Sequence, residues 1–440
     1  MKSCKHCLIF CLLFSSALYS LLGATSSDIE EIVTQISQDN VREILMKLES
    51  FQTRHVLSSD KDNFGINASA EWIHEKFTSL SPRLQVSFDS YELEPQGRMR
   101  NEFTLRNVVA VLPGKQTGEN ERIFLLNAHY DTVARTEDGS FPRDSFDNFA
   151  PGVNDDGSGL AALIEIARVF SRHEFDATVY FVAFSGEEVG LVGSTLMAAR
   201  LKKEDKNIEG VLTLDMIGNI QGGNGILDNK RIRVFSAGPA DSPSRQLARY
   251  AKRAGEHYFP SAHIDCIYRA DRFGRGGDHT PFVLEGWPGI RIMEANENYS
   301  RQHTVHDTLE NLSLEYCTRN IRIIGSILAS LASAPPPPRV TSERGRPQLG
   351  RGDNGYSAQL KWDPVPYPDL AGYKILWRST TAPFWEKEIY VGDRTEYTLE
   401  NITIDEYIFG VRAVDRDGSE SLVSAYTMAP RSKRTYKIKE

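Results

Sequence analysis

Cysteine is nearly absent from the body of this 440-residue chain. Of its five cysteines, Cys4, Cys7 and Cys11 fall at the very start, leaving Cys266 and Cys317. Those two are not spaced as a zinc knuckle, so any metal centre must be built from histidine and carboxylate. The sequence leaves open whether they pair in an oxidising compartment or remain two small buried side chains. Basic tracts are missing as well. With a net charge of −8 and no dense Lys/Arg run, no nucleic-acid partner is expected. No long internal repeat is present. Only one long apolar run occurs, Cys7 to Leu22, preceded by Lys2 and Lys5 and followed by small residues. That layout predicts a signal peptide over 1–24, cleaved near Leu22-Gly23-Ala24, and hence a secreted or periplasmic protein. The run is short for a span of roughly 20 residues, which ranks an uncleaved membrane anchor second.

The remaining chain alternates two kinds of pattern. Asp28 to Phe51 carries apolar residues at helical spacing, and Ala68 to Phe77 reads as a second helix. "RNVVAVLPG" reads as a strand closed by a Pro-Gly turn. "RIFLLNAHYD", "TVYFVAF", "GVLTLDMIG" and "GIRIMEA" read as apolar strands, and "GSGLAALIEIARVF" as an amphipathic helix. Apolar strands alternating with helices predict an α/β fold with a mixed, mostly parallel sheet flanked by helices. A break follows at "SAPPPPRV", where four prolines favour an extended linker, expected over 334–345. Beyond it, short alternating segments such as "AQLKWDPV" and "YIFGVRAVDRDGSES" predict an all-β sandwich over 346–431. The first domain is expected over 25–333.

The polar residues that matter stand where apolar strands stop. His129 and Asp131 end one strand, Glu187 and Glu188 another, and Asp215 a third. In such sheets ligands bind beyond the strands' carboxyl ends. Asp155 and Asp156 sit in the glycine-rich "PGVNDDGSG", and "RQHTVHDTLENL" adds His303, His306 and Asp307. Two histidines and three carboxylates at one sheet edge suit two zinc ions sharing a water, with one carboxylate bridging them. Successive side chains on extended chain point opposite ways. An adjacent glutamate pair can therefore offer one carboxylate to metal and the other to the water as general base.

Five segments in order, "AHYD", "PGVNDDGSGLAALIE", "FSGEEVGLVGS", "LDMIG" and "HTVHDTLEN", resemble the successive signatures of the M28 zinc peptidases, a group that includes compact bacterial secreted aminopeptidases. The resemblance covers most of residues 30 to 333 and implies the zinc exopeptidase fold. It also implies roles. His129 and Asp215 hold one zinc, Glu188 and His303 the other, and Asp155 bridges both. Glu187 is the general base, and Asp131 orients His129. Asp156 is read as a helix cap, His306 as a surface residue and Asp307 as a brace for its loop. Asp278 and His279 match a structural family segment and are expected to line the substrate pocket rather than bind metal. Some members use a tyrosine to hold the tetrahedral oxygen. Gln302 precedes His303 here instead, which leaves Tyr268 as a substitute. The implied activity is a dizinc aminopeptidase acting on peptides with a free N-terminus. A glutaminyl cyclase on the same fold and a non-catalytic binding protein are the alternatives. The C-terminal segment resembles a fibronectin type III domain, with Trp362 and Tyr407 at its usual positions and a cell-surface or polysaccharide contact as one role. Asn-X-Ser/Thr sequons begin at Asn67, Asn298, Asn311 and Asn401.

Overall fold

The computed structural model describes residues 26–97, 101–118, 121–135, 139–141 and 146–428. The predicted signal peptide and the last residues of the predicted C-terminal domain lie outside them. No helix among the described residues is long and apolar enough to cross a membrane. The chain divides into two compact units, the first running through Ala334 and the second starting at Pro335.

The first unit opens with two helices, α1 (Ser26–Thr34) and α2 (Gln38–Ser50), where a single helical stretch was expected. The break falls at Ser37, whose extended backbone and hydroxyl cap the second helix by accepting from Asn40 N–H at 3.3 Å. Next come α3 (Gly65–Leu80), β1 (Gln85–Leu93), β2 (Phe103–Leu112), β3 (Ile123–His129), α4 (Gly157–Phe170), β4 (Thr178–Phe184), α5 (Val192–Lys203) and β5 (Ile208–Leu214). The unit closes with β6 (Arg231–Ser236), α6 (Pro243–Tyr258), β7 (His263–Ile267), α7 (His279–Leu284), β8 (Gly289–Glu294) and α8 (Leu314–Ser333).

Eight strands form one sheet in the order β1-β2-β4-β3-β5-β8-β6-β7. The four central strands, β4, β3, β5 and β8, run parallel to one another. Strand β2 meets β4, and β6 meets β8, in antiparallel fashion. All seven residues of β3 are buried, as are all six of β8. Strands covered on both faces need apolar side chains throughout, which is why these segments lack the alternation of a half-exposed strand. The parallel run also places the carboxyl ends of β3, β4, β5 and β8 side by side. His129 lies directly opposite Phe184 in this register, and Leu214 opposite Ile292.

Behind the loop after β3, the buried His55 ring stacks on Phe146 with centroids 4.6 Å apart. Its Nδ1 accepts from Leu57 N–H at 3.1 Å, so that nitrogen must stay unprotonated. Burial lowers its pKa to about 4. An unfolded chain takes up this proton near 6.5. The folded state is therefore fully favoured above pH 6.5 and loses up to about 3 kcal/mol from this group as pH falls towards 4. The loss should be visible in urea melts at pH 7.5 and 5.0 and should shrink in His55→Phe. Equal acid sensitivity of the two proteins would count against it.

The second unit has seven strands: β9 (Leu349–Gly350), β10 (Ala358–Lys361), β11 (Leu370–Ser379), β12 (Lys387–Gly392), β13 (Glu396–Leu399), β14 (Tyr407–Asp415) and β15 (Ser424–Ala425). They form two antiparallel sheets, β13-β10-β9 and β12-β11-β14-β15. Trp362 and Tyr373 pack edge to face at 5.4 Å within a core of their own. Val340 belongs to that core, and Asp363 N–H donates to Arg339 O at 2.9 Å. The expected linker over 334–345 is thus shorter than its composition suggests. Burial of Val340 draws its C-terminal part into the second unit.

Candidate active site

A turn sets the glutamate pair. After β4 the chain turns at Gly186, where φ is +78°, a conformation that disfavours a side chain. A Cβ there would also press on Leu105 at 3.0 Å. The next two residues, Glu187 and Glu188, both donate backbone N–H groups to Asp131, to Oδ1 and Oδ2 respectively, each at 3.1 Å. Asp131 thus fixes the glutamate pair rather than acting on His129 through its carboxylate. The His129 ring nitrogen Nδ1 lies 3.0 Å from the Asp131 backbone carbonyl and 3.7 Å from the carboxylate. A carbonyl can only accept, so Nδ1 carries the hydrogen and Nε2 is the nitrogen available to a metal. The Asp131 contact to His129 is made by the backbone carbonyl, while both carboxylate oxygens accept from the glutamate pair.

Asp155 occupies the centre. Its Oδ1 lies 3.2 Å from His129 Nε2, and its Oδ2 lies 3.1 Å from His303 Nε2. His303 Nε2 is also 2.9 Å from Glu188 Oε1, and His129 Nε2 is 3.9 Å from Asp215 Oδ1. All five sequence-predicted ligands therefore converge, with Asp155 turning one oxygen towards each histidine. Among the described residues, one ligand atom each from His129, Asp155 and Glu188 lie within 4.8 Å of one another. His303 reaches in from a loop with φ at +55°, strained for a non-glycine residue. Gln302 Nε2 donates to Asp155 Oδ2 at 2.8 Å.

The supporting residues are as ordered as the cluster. Asp156, joined to Asp155 by a cis peptide bond, caps α4 by accepting from Gly159 N–H at 3.0 Å. The same carboxylate accepts from Met216 N–H at 3.1 Å and His129 N–H at 3.3 Å. Asp307 receives the N–H groups of Asn154 and Asp155, both at 2.9 Å, which ties the His303 loop to the loop before α4. His306 is exposed. Asp278 is buried and does not line the cleft, and His279 is buried with Nε2 2.8 Å from Ala270 O. Tyr268 packs against Arg245 and Arg249, with guanidinium carbons 4.5 and 5.5 Å from the ring centroid, and is not among the cleft-lining residues.

Two buried arginines complete the frame, and sequence reading missed both. Arg54 donates to Tyr130 O at 2.6 Å, Pro151 O at 2.7 Å and Gly152 O at 2.8 Å, joining the two ligand loops from behind. Arg291, wholly buried in β8, donates to Asp215 Oδ2 at 2.5 Å and Asp271 Oδ2 at 3.0 Å. A lone arginine inside the apolar "GIRIMEA" was the available signal, since such a charge must find partners. Arg291→Met would leave the buried Asp215 carboxylate without its donor, while Asp271 keeps Arg272, and should cost about 3–5 kcal/mol. Denaturant melts would check this, and a loss below 1 kcal/mol would show that the arginine does not hold Asp215.

The electrostatics follow from crowding. Burial, reinforced by Glu188 and Asp215, holds the half-buried Glu187 carboxyl well above the usual carboxylate range. Burial likewise raises Asp215, and raises Asp131 to about 6. Asp155 is the exception. Against the penalty of burial, His129 and His303 hold it well below the usual range. So dense an acidic cluster calls for a cation. Beside it opens a cavity of about 840 Å³ lined by Glu187, Glu188, Gln302 and His303 among others.

Known proteins resemble this chain in sequence and in fold. The model of "Peptidase family M28" matches residues 107–328. A probable zinc metalloprotease of Pyrenophora tritici-repentis is 34% identical over 430 residues, covering 90% of this chain and 96% of that protein. The chain belongs to peptidase family M28. Among solved structures, the Legionella pneumophila LapA aminopeptidase superposes with a TM-score of 0.54 at 22% identity, over 70% of this chain and 75% of that one. A Macrostomum lignano glutaminyl cyclase gives 0.54 at 18% identity, over 69% and 92%. At such identities the two likenesses speak for the fold.

Proposed function

We propose that this M28 enzyme is an exported dizinc aminopeptidase that releases N-terminal residues from peptides. The observation that carries the reading is Asp155, whose two oxygens face different histidines and so divide the cluster into two ligand sets. His129 Nε2, Asp215 Oδ1 and Asp155 Oδ1 would hold one zinc. His303 Nε2, Glu188 Oε1 and Asp155 Oδ2 would hold the other. The residues fit such ions. His129 Nε2 and Asp215 Oδ1 are buried and make no hydrogen bond, as atoms reserved for a cation do. Histidine nitrogen with carboxylate oxygen is an ordinary zinc donor set. Bound zinc supplies Lewis acidity towards a carbonyl and acidifies water.

The chain's own contribution is positional. Asp131 aims the glutamate pair, and Glu187 lines the open cavity while Glu188 turns to His303. Glu187 takes the proton of the attacking water and returns it to the leaving amine. Export rests on the basic-then-apolar N-terminal segment. The C-terminal unit reads as fibronectin type III-like, supported by its three-plus-four antiparallel strands. Contact with a cell surface or polysaccharide is its proposed role. Failure of the protein to co-sediment with any insoluble polysaccharide or cell-wall fraction would count against that role.

The test is zinc content measured alongside hydrolysis of aminoacyl nitroanilides with free and blocked α-amines. Two zinc equivalents and cleavage of free-amine substrates alone support the reading. A single zinc, no hydrolysis and cyclisation of an N-terminal glutaminyl peptide would replace it with the cyclase, whose fold is equally similar.

A further inference from the structure

We propose that the cleft clasps a carboxylate of its substrate with Arg135 and Arg275, an inference that rests on the peptide-hydrolase reading of the same site. Both arginines line the cavity that holds Glu187 and His303. They reach it from separate loops, Arg135 after β3 and Arg275 between β7 and α7.

Arg275 is a cation with little to neutralise it. Its nearest carboxylate partner is Glu297, with Nη1 3.6 Å from Oε2, beyond hydrogen-bond reach. That oxygen already receives Arg272 Nη1 at 2.5 Å, and Oε1 receives Arg233 Nη2 at 3.2 Å. Three guanidinium groups thus converge on one carboxylate, and the least engaged is the one facing the cleft, 36% exposed. Arg135 is anchored beside the ligand cluster, its backbone N–H donating to His303 O at 2.8 Å. Its guanidinium lies 4.4 Å from the Phe141 ring centroid and donates to Gly139 O at 3.0 Å. Among the described residues no carboxylate forms an ion pair with it. Among the described residues that line the cleft the carboxylates are Glu187 and Glu188, both part of the proposed hydrolytic machinery, and the two planar forks can donate to an incoming anion. Guanidinium matches carboxylate in shape as well as charge.

Two parts of a peptide carry that group: an Asp or Glu side chain, and the terminal carboxylate of a short peptide. Calorimetric titration of the zinc-loaded Glu187→Gln protein separates them without turnover. The ligands are Leu-Ala amide, Leu-Ala and Glu-Ala amide. Leu-Ala or Glu-Ala amide should bind at least about 10-fold tighter than Leu-Ala amide, as expected of a charge-assisted contact. A preference for Leu-Ala identifies the terminal carboxylate, and one for Glu-Ala amide the side chain. The ratio should fall about 10-fold in Arg275→Gln and Arg135→Gln, and should weaken as salt rises. If Arg135→Gln fails to fold, the exposed Arg275 decides alone. Equal binding of all three peptides, no binding, or a ratio indifferent to the arginines overturns the proposal. Wild-type hydrolysis of free-amine nitroanilides is scored separately, so an aminopeptidase without carboxylate preference loses only this inference. A carboxylate binder without hydrolysis loses only the aminopeptidase reading.

Discussion

Glu187→Gln should keep its fold and its zinc and lose peptide hydrolysis by roughly 10²–10⁴-fold. The substitution is isosteric, and the hydrogen bond that places residue 187 runs from its backbone N–H to Asp131, untouched by the change. What disappears is the proton acceptor. The amide can still accept a hydrogen bond from water, but it cannot carry the proton to the leaving amine. The loss should appear in kcat, with KM for short peptides little altered, because the group acts in the transition state. Zinc determination on the same sample separates this outcome from metal loss. Hydrolysis within a few-fold of wild type would remove Glu187 from the mechanism.

Asp155→Ala should be more severe. Its carboxylate is the only group of the cluster within 3.2 Å of both histidines, and neither proposed ligand set is complete without it. Zinc content is expected to fall from two equivalents to below one, and activity to the background. Loss of one carboxylate also leaves Gln302 Nε2 without its acceptor, at a cost of about 1–3 kcal/mol. Metal analysis after dialysis, with melting curves taken with and without added zinc, checks both effects. A variant that still holds two zinc ions would rule out bridging by Asp155.

Much of this site was legible because chain direction and strand pattern coincide. Fully apolar strands ending in His129, in the Glu187–Glu188 pair and beside Asp215 are read as parallel strands whose carboxyl ends gather polar residues, and β3, β4, β5 and β8 do so. The helix after Asp156 was equally plain. Strands β6 and β7 were not. Arg231 and Arg233 alternate with Ile232 and Val234, and His263 and Asp265 interrupt the next strand, so neither shows the apolar run of a buried segment. Their place comes from pairing with β8 and with each other, which is tertiary information. The Ser37 break was hidden because the apolar spacing continues across it. Arg54 and Arg291 were hidden for another reason. Their value lies in backbone carbonyls and carboxylates far away in sequence, and no local pattern encodes those. Asp131 was singled out by its position after β3, yet the atoms it contacts depend on a turn geometry that only coordinates reveal.

The brace between Asp307 and the Asp155 backbone spans 152 residues, and the Gln302 contact to the same aspartate spans 147. Closures of that length are made late, after more local structure has reduced the entropy they cost. A chain emerging in order from its amino end has β3, β4 and β5 in hand well before His303 and Asp307 appear. The hydrolytic centre is therefore among the last features to exist. A partly made chain carries Glu187 and four of the five proposed ligands, and the fifth, His303, arrives together with the Asp307 brace that holds the Asp155 backbone.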